Sequence, residues 1–428
     1  MKNNKTIFLT KTSLSGYKSI ENVSIDFVNG LNIILGKNAV GKTNFLTFLN
    51  NSLNFKFTNS NNFDSSFTIK NKNINYDFSF TKKTHIQNTE KEKYKLFQLK
   101  NILPLFNGKL TIQDKNNTTK YTLEIKNESE ANKFNDQLKL DNIYLKSIFI
   151  RHGLPKNYYI VDKPLNIDLF ENNIADDFFN LYSSETQTNF VKRILFSTLT
   201  LDILDKKYFN KRLRKKESID KFISQKVKEY KNEVISDLIF LNDLKAILKE
   251  YSPIEDIKIN ENFLIDIDIE NHKITLRNFF LEFYIDNKWY NFEDLSDGTK
   301  RIFYIISEIF ILDNEYVIDG IIHEETQIHH LNIIFIEEPE LGIHPHQLYN
   351  LMRFIKEKSQ NNQIIITTHS PLSLNILEKD ELSSIIIANK LDGKTVLHKL
   401  NKEKLNKAKL YMDDLDLSDF WINSNLED

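Results

Sequence analysis

A glycine-framed loop, Gly36-Lys37-Asn38-Ala39-Val40-Gly41-Lys42-Thr43, stands between a short apolar run and a helical pattern. No other segment restricts the fold of this chain as strongly. The run before it, Leu31-Asn32-Ile33-Ile34-Leu35, ends at Gly36 and reads as a buried strand. After it, Phe45, Leu46, Phe48 and Leu49 follow a helical spacing, so a helix opens near Gly41. Strand, tight loop and helix in that order predict an α/β core. The chain has only 10 glycines in 428 residues, so the spacing G-x-x-x-x-G-K-T is not a by-product of composition.

The chemistry of such a loop is phosphate binding. Its backbone N–H groups and the helix N-terminus point at anionic oxygens. Lys42 is expected to reach the β and γ phosphates of a nucleotide, and the Thr43 hydroxyl to bind Mg²⁺. Gly36, Asn38, Gly41 and Asn44 complete the expected binding set for ATP.

Two further apolar runs end in reactive residues. Ile333-Ile334-Phe335-Ile336 leads into Glu337-Glu338-Pro339-Glu340. Glu337 is expected to support Mg²⁺, directly or through water, and Glu338 to orient and deprotonate the attacking water. A solvated strand end is the bland reading, but unpaired buried charge is costly, and two adjacent carboxylates there favour chemistry. Ile364-Ile365-Ile366-Thr367-Thr368 leads into His369-Ser370-Pro371. His369 is expected to contact the γ-phosphate and report its presence. A lone histidine is otherwise an ordinary polar residue.

Leu295-Ser296-Asp297-Gly298 opens another helix. By itself Ser296 reads as an N-cap. The order of the four segments adds a second reading. The Ser296 hydroxyl, the Gly298 N–H and the helix N-terminus would serve the γ-phosphate of a second copy of the chain. Two such contacts across one two-fold axis give a dimer with two ATP sites.

These segments resemble the ABC-type ATPases, in the branch of RecF, SMC and OLD-like proteins. GKNAVGKT, LSDGTKR, IIFIEEPELGIHPH and IITTHSP carry the likeness, and the "EEPE…HP" form is similar to OLD-like and related AAA-type ATPases. The resemblance implies dimers that close on ATP and open after hydrolysis, with Pro339–Gly342 as the loop crossing between subunits. It covers about residues 5–50 and 290–390. Three departures limit it. The first acid is usually Asp, and Glu337 is longer by a methylene. The segment Ser147–Pro155, where a glutamine would stand, holds none. No acid-bearing strand framework for an OLD-type nuclease follows the core, although Asp413, Asp414, Asp416 and Asp419 lie near the end.

The remaining chain is less informative. Residues 51–150 carry period-two runs at Phe67–Lys70, Tyr76–Phe80, Leu110–Gln113 and Tyr121–Ile125, which predict an antiparallel β lobe. Residues 172–250 turn helical, through Phe178, Phe179 and Tyr182 and again Leu238, Leu241, Leu244 and Leu248, and Ser252-Pro253 ends the pattern. Strands are expected at Phe263–Ile269 and Lys273–Asn287, a helix from Gly298 to Leu312, then strand–helix–strand–strand over 331–398, a charged helix and a tail. The expected division is 1–170, 171–255 as a helical insertion, and 256–428. The basic run Lys211–Lys216 reads as a solvated helix face or a nucleic-acid contact. His323, His329 and His330 read as a surface loop, and Trp289 and Tyr290 as packing residues.

Composition excludes several classes. There are no cysteines, so no disulfide and no thiolate chemistry. No apolar run approaches the roughly 18 residues of a membrane span, and the start shows no leader, so a cytoplasmic chain is expected. A net charge of −2 gives no global attraction to nucleic acid. The leading expectation is an ATP-driven dimeric switch that controls a separate effector, a nuclease or toxin, in antiviral defence. The alternative is a RecF-like ATPase that binds DNA in repair or chromosome maintenance. A transporter's ATP subunit is a poor third, because it needs a membrane partner.

Overall fold

The computed structural model describes residues 7–57, 62–86, 102–153, 165–168, 239–260, 262–268, 273–278, 280–318 and 329–424. The chain divides into two compact units. The first holds Met1–His152, His323–Leu341 and Met352–Asp428, and the second Gly153–Ile322 with Gly342–Leu351.

The first unit is built on two sheets. One is antiparallel and contains β1 (Ile7–Tyr17), β2 (Ile20–Asp26), β4 (Phe63–Asn71), β5 (Ile74–Ile86), β6 (Ile102–Asp114) and β7 (Thr119–Ile125) in the order β2-β1-β4-β5-β6-β7. Its inner face is phenylalanine-rich. Phe57 meets Phe80 with ring centroids 4.6 Å apart, and Phe67 stacks on Phe78 at 4.6 Å. Phe134, on helix α2 (Asn132–Leu140), closes this cluster against Phe55 and Phe78. Helix α1 (Lys42–Leu53) buries Phe45, Leu46, Phe48 and Leu49, the face that the spacing predicts.

The second sheet of this unit is the core. Its order is β18-β17-β3-β16-β15-β8, with β3 (Leu31–Leu35), β8 (Ile143–Ile150), β15 (His329–Glu337), β16 (Gln363–Thr368), β17 (Ile385–Leu391) and β18 (Lys394–Lys399). Every pairing is parallel except β17 with β18. All residues of β3 and β16 are buried, as a parallel sheet covered on both faces requires. β3 sits between β16 and β17, so its neighbours come from the far end of the sequence.

Gln363 ties the two sheets together. Its Oε1 accepts from Leu9 N at 2.8 Å and its Nε2 donates to Leu9 O at 2.8 Å. The register of β1 on β4 shifts between Leu9 and Lys11, and the side-chain amide serves the backbone groups of Leu9 as another strand would.

Several expectations change here. Residues 143–150 do not belong to the antiparallel lobe. They form β8, the edge strand of the core sheet, in register with β15 from Ile143↔His329 to Ile150↔Ile336. His329 and His330 are not a loop but open β15, where burial lowers the His330 pKa. The tail folds as a second helix, α7 (Leu417–Ser424), after α6 (Lys402–Tyr411), and it buries Phe420 and Trp421.

The second unit contains α3 (Ile239–Tyr251), which buries Leu241, Leu244 and Leu248 and ends before Ser252 as expected. The rest of the expected helical insertion, Lys211–Lys216 included, lies outside the described residues, as does His323. The expected strand Lys273–Asn287 is two strands in two sheets. β12 (Lys273–Arg277) pairs with β11 (Leu264–Asp268) and β9 (Leu165–Asp168), while β13 (Leu281–Ile285) pairs with β10 (Asp256–Ile259) and β14 (Lys288–Asn291). The chain turns between them at Asn278, with φ 56°. Trp289 is 41% exposed and packs beside Tyr284 and Lys258. Helix α4 (Asp297–Ile318) follows, longer than expected, and α5 (Pro345–Lys358) carries the chain from β15 towards β16.

Candidate functional site

The register of the core sheet aligns four strand ends. Leu35 of β3 is level with Thr368 of β16, Glu337 of β15 with Thr367, and Ile150 of β8 with Ile336. The residues that follow are therefore neighbours along one edge. They are Gly36 and its loop, His369, Glu338 and His152. In open parallel sheets this carboxyl edge is where a ligand crevice forms.

The loop is shaped by two glycines that no other residue replaces. A Cβ on Gly36 would lie 2.2 Å from the Ala388 carbonyl oxygen, and one on Gly41 2.2 Å from the Thr395 hydroxyl. Gly41 also has φ +102°. Lys42 is buried, and its Nζ donates to Gly36 O at 2.6 Å and to Lys37 O at 2.8 Å, so the ammonium is held inside the curve of the loop. α1 has no side-chain cap and no acid in its first turn, which leaves its positive end suited to an anion. Asn38 is exposed on the loop, and Asn44 Oδ1 accepts from Lys18 Nζ at 2.9 Å.

Glu337 is 2% exposed, and each of its oxygens has a partner. Oε1 accepts from the Thr43 hydroxyl, and Oε2 lies 2.8 Å from His152 Nδ1. Burial pushes this carboxyl's pKa up, but the hydrogen bonds from Thr43 and His152 outweigh it and hold it below the usual carboxylate range. A charged carboxylate beside a threonine hydroxyl is a hard oxygen pair that fits Mg²⁺. The loop, Lys42 and the α1 N-terminus fit the phosphates of a nucleotide. When bound, Mg²⁺ would neutralise charge on the phosphate oxygens.

Glu338 is half-buried, and its N–H donates to Thr367 O at 2.8 Å. Its φ of +44° places a non-glycine residue in the left-handed region, at a cost of about 1–2 kcal/mol. The strain turns the chain directly after the strand, so that consecutive glutamates do different things. Glu337 is locked into the sheet edge, and Glu338 leads into a turn closed by Leu341 N to Glu338 O at 3.2 Å.

Sequence reasoning missed the role of Glu340. Its Oε1 accepts from the Thr368 hydroxyl at 2.8 Å, from His369 N at 2.8 Å, and faces His369 Nδ1 at 2.9 Å. The other oxygen is buried without a hydrogen-bond partner. One carboxylate thus holds both the backbone and the Nδ1 side of the His369 ring. Glu338 lies on the same side, 3.9 Å from His369 Nδ1. The available signal was the third acid of EEPE, two residues beyond Glu338. Glu340→Ala is expected to destabilise the fold by about 2–3 kcal/mol, because Thr368 and His369 lose a charged acceptor. Urea unfolding of the full chain measures this, and an unchanged midpoint would mean that water replaces the carboxylate.

His152 is the other residue that motif reading passed over. It follows the strand that joins the core sheet from outside the recognised segments.

Ser296 and Gly298 lie in the second unit. Ser296 performs the bland role. Its Oγ accepts from Thr299 N at 3.2 Å and pairs with the Thr299 hydroxyl at 2.8 Å, so it caps α4. Its side is exposed, which leaves room for a further contact. Gly298 is needed for close approach, since a Cβ there would stand 2.5 Å from Gly342 O. The start of α4 therefore lies against Gly342 within the second unit.

A protein-family profile described as "AAA domain, putative AbiEii toxin, Type IV TA system" matches residues 31–375. The chain belongs to this AAA-domain family. The AAA domain runs from β3 past His369 and so takes in every residue of the edge described above. Over 40 residues the chain is 52% identical to the DNA replication and repair protein RecF of Geobacillus sp. (strain WCH70). That stretch is 9% of this chain and spans only 11% of the RecF protein. Among solved structures, the Smc head domain with an extended coiled coil, bound to the C-terminal domain of ScpA and derived from Pyrococcus furiosus, is 16% identical at a TM-score of 0.41, covering 95% of this chain and 100% of that one. The SMC head domain from Thermotoga maritima is 10% identical at a TM-score of 0.34, covering 92% and 99%. The mixed α/β architecture is that of a P-loop ATPase core with an antiparallel lobe. No helix among the described residues is long and apolar enough to cross a membrane.

Proposed function

We propose that this AAA-domain protein binds ATP with Mg²⁺, hydrolyses it, and works as a dimeric switch for a separate effector. The observation that carries the proposal is the gathering of Lys42, Thr43, Glu337, Glu338 and the Glu340–His369 pair along one sheet edge. Lys42 and the loop N–H groups hold the phosphates. Thr43 and Glu337 hold the cation. Glu338 orients a water molecule and takes its proton, and His369, aimed by Glu340, faces the γ-phosphate through Nε2. Ser296 and Gly298 of a second copy complete each site.

The shared site has a direct test. Chains carrying Ser296→Arg are mixed with chains carrying Lys42→Ala. Each variant alone is expected to be inactive, and the mixture to recover part of the wild-type ATPase rate, because half the mixed pairs' sites are intact. A mixture as dead as its parts would count against donation across a dimer.

The family's description joins an AAA domain to a toxin system, which supports the effector reading; antiviral defence, with a nuclease or toxin as output, is the setting proposed for it. The short likeness to RecF favours the second reading, a DNA-binding ATPase of repair or chromosome maintenance. Affinity purification of the Glu338→Gln chain from its own host separates them. A co-purifying nuclease or toxin is the expected result. Duplex DNA with recombination proteins, and no effector, would replace the switch by the repair reading.

A further inference from the structure

We infer that His152 supplies a nitrogen ligand to the cation at the Thr43–Glu337 pair, so that first-row transition-metal ions compete with Mg²⁺ there more strongly than at an all-oxygen site. This rests on the reading of that pair as a metal–nucleotide site. Three potential ligand atoms meet at Glu337: its own carboxylate, the Thr43 Oγ1 on one oxygen and the His152 Nδ1 on the other, at 2.8 Å. Glu337 is fixed in the sheet, whereas the His152 side chain is 54% exposed. The placement of His152 is not accidental to a loose loop. It stands two residues beyond Ile150, which is paired in register with Ile336, and its own backbone N–H lies 3.5 Å from Glu337 Oε2.

Metal choice follows from donor chemistry. Hydroxyl, carboxylate and phosphate oxygens suit Mg²⁺ and Mn²⁺, whereas an imidazole nitrogen suits iron, nickel, copper and zinc, and adding one tilts a site from Mg²⁺ towards the first-row transition metals. Thr43 donates to one oxygen of Glu337, and His152 Nδ1 faces the other at 2.8 Å. To hold a cation the Thr43 hydroxyl would turn and offer an oxygen lone pair while keeping its hydrogen, and the His152 ring would offer Nδ1 with its proton on Nε2. Among the described residues no cluster of three or more carboxylates and histidines is placed to hold a metal, so nucleotide oxygens are needed to complete the set.

The test uses the full chain with Mn²⁺ and a non-hydrolysable ATP analogue. Pulsed electron paramagnetic resonance of the wild type is expected to show coupling to a directly bound imidazole nitrogen. That coupling is expected to vanish in His152→Gln, which restores an oxygen donor of similar reach. The Mg²⁺ excess needed to displace half the Mn²⁺ should fall on the order of tenfold in that variant. Nucleotide-dependent Mn²⁺ binding without nitrogen coupling in the wild type, or with the same coupling in His152→Gln, overturns the assignment while leaving the ATP site standing. Failure of a fluorescent ATP analogue to bind the wild type at all would overturn the site reading itself, and this inference with it.

Discussion

Glu338→Gln is expected to lower steady-state ATP turnover by about 10³-fold while nucleotide binding is kept. The substitution is nearly isosteric. It keeps the left-handed turn at φ +44° and the Glu338 N–H bond to Thr367 O, because both belong to the backbone. What it removes is a negative charge that can accept a proton, 3.9 Å from His369 Nδ1. In the proposed site Glu337, one residue away, is taken up by the cation together with Thr43 and does not replace Glu338 as the base. Phosphate release and binding of a fluorescent nucleotide, measured on one preparation, separate the two effects. Closed dimers should accumulate in sedimentation with ATP present. Turnover at the wild-type rate would show that another group is the base.

The second large effect belongs to Lys42. Lys42→Ala is expected to weaken ATP binding by more than about 100-fold, because hydrogen bonds to a charged group contribute about 1.5–3 kcal/mol each. The structure adds a further cost. Lys42 Nζ braces the loop through Gly36 O and Lys37 O, so the alanine variant also loosens the loop itself. Lys42→Arg is expected to be nearly as damaging. The planar guanidinium is wider than an ammonium and does not fit between two carbonyls of a tight curve. Isothermal calorimetry with ATP checks both variants. Retained micromolar binding in Lys42→Ala would move the phosphate contact to other residues.

How much of this was legible in the sequence depended on whether the signal was local. The loop and its strand and helix could be read because Leu31–Leu35, the paired glycines and the helical spacing of α1 lie within one short segment. The positions of Glu337, Glu338 and His369 at strand ends could be read because each stands at the end of an apolar run. β8 could not. Its burial alternates irregularly, and only its pairing with β15 reveals a core strand. His152 was hidden for the same reason, since its partner Glu337 is 185 residues away. Glu340 was visible as a letter in a motif but not as the acceptor that fixes His369. That role depends on a strand end and a turn meeting in space. Ser296 shows the converse, where the ordinary capping role is the one the geometry displays.

The strand order of the core has a consequence for how the protein is made. The phosphate loop leaves the ribosome well ahead of its neighbours, and β3 has no strand neighbour until β16 and β17 have been synthesised. The Leu9 backbone likewise waits for Gln363, 354 residues later. At ordinary elongation rates the interval from Gly36 to Leu391 lasts roughly 20–70 s. During that time the loop is a sequence without a frame, and a nascent chain holds no nucleotide. Such long-range closure makes folding slow. ATP added during refolding should therefore bind only after the last strands are in place.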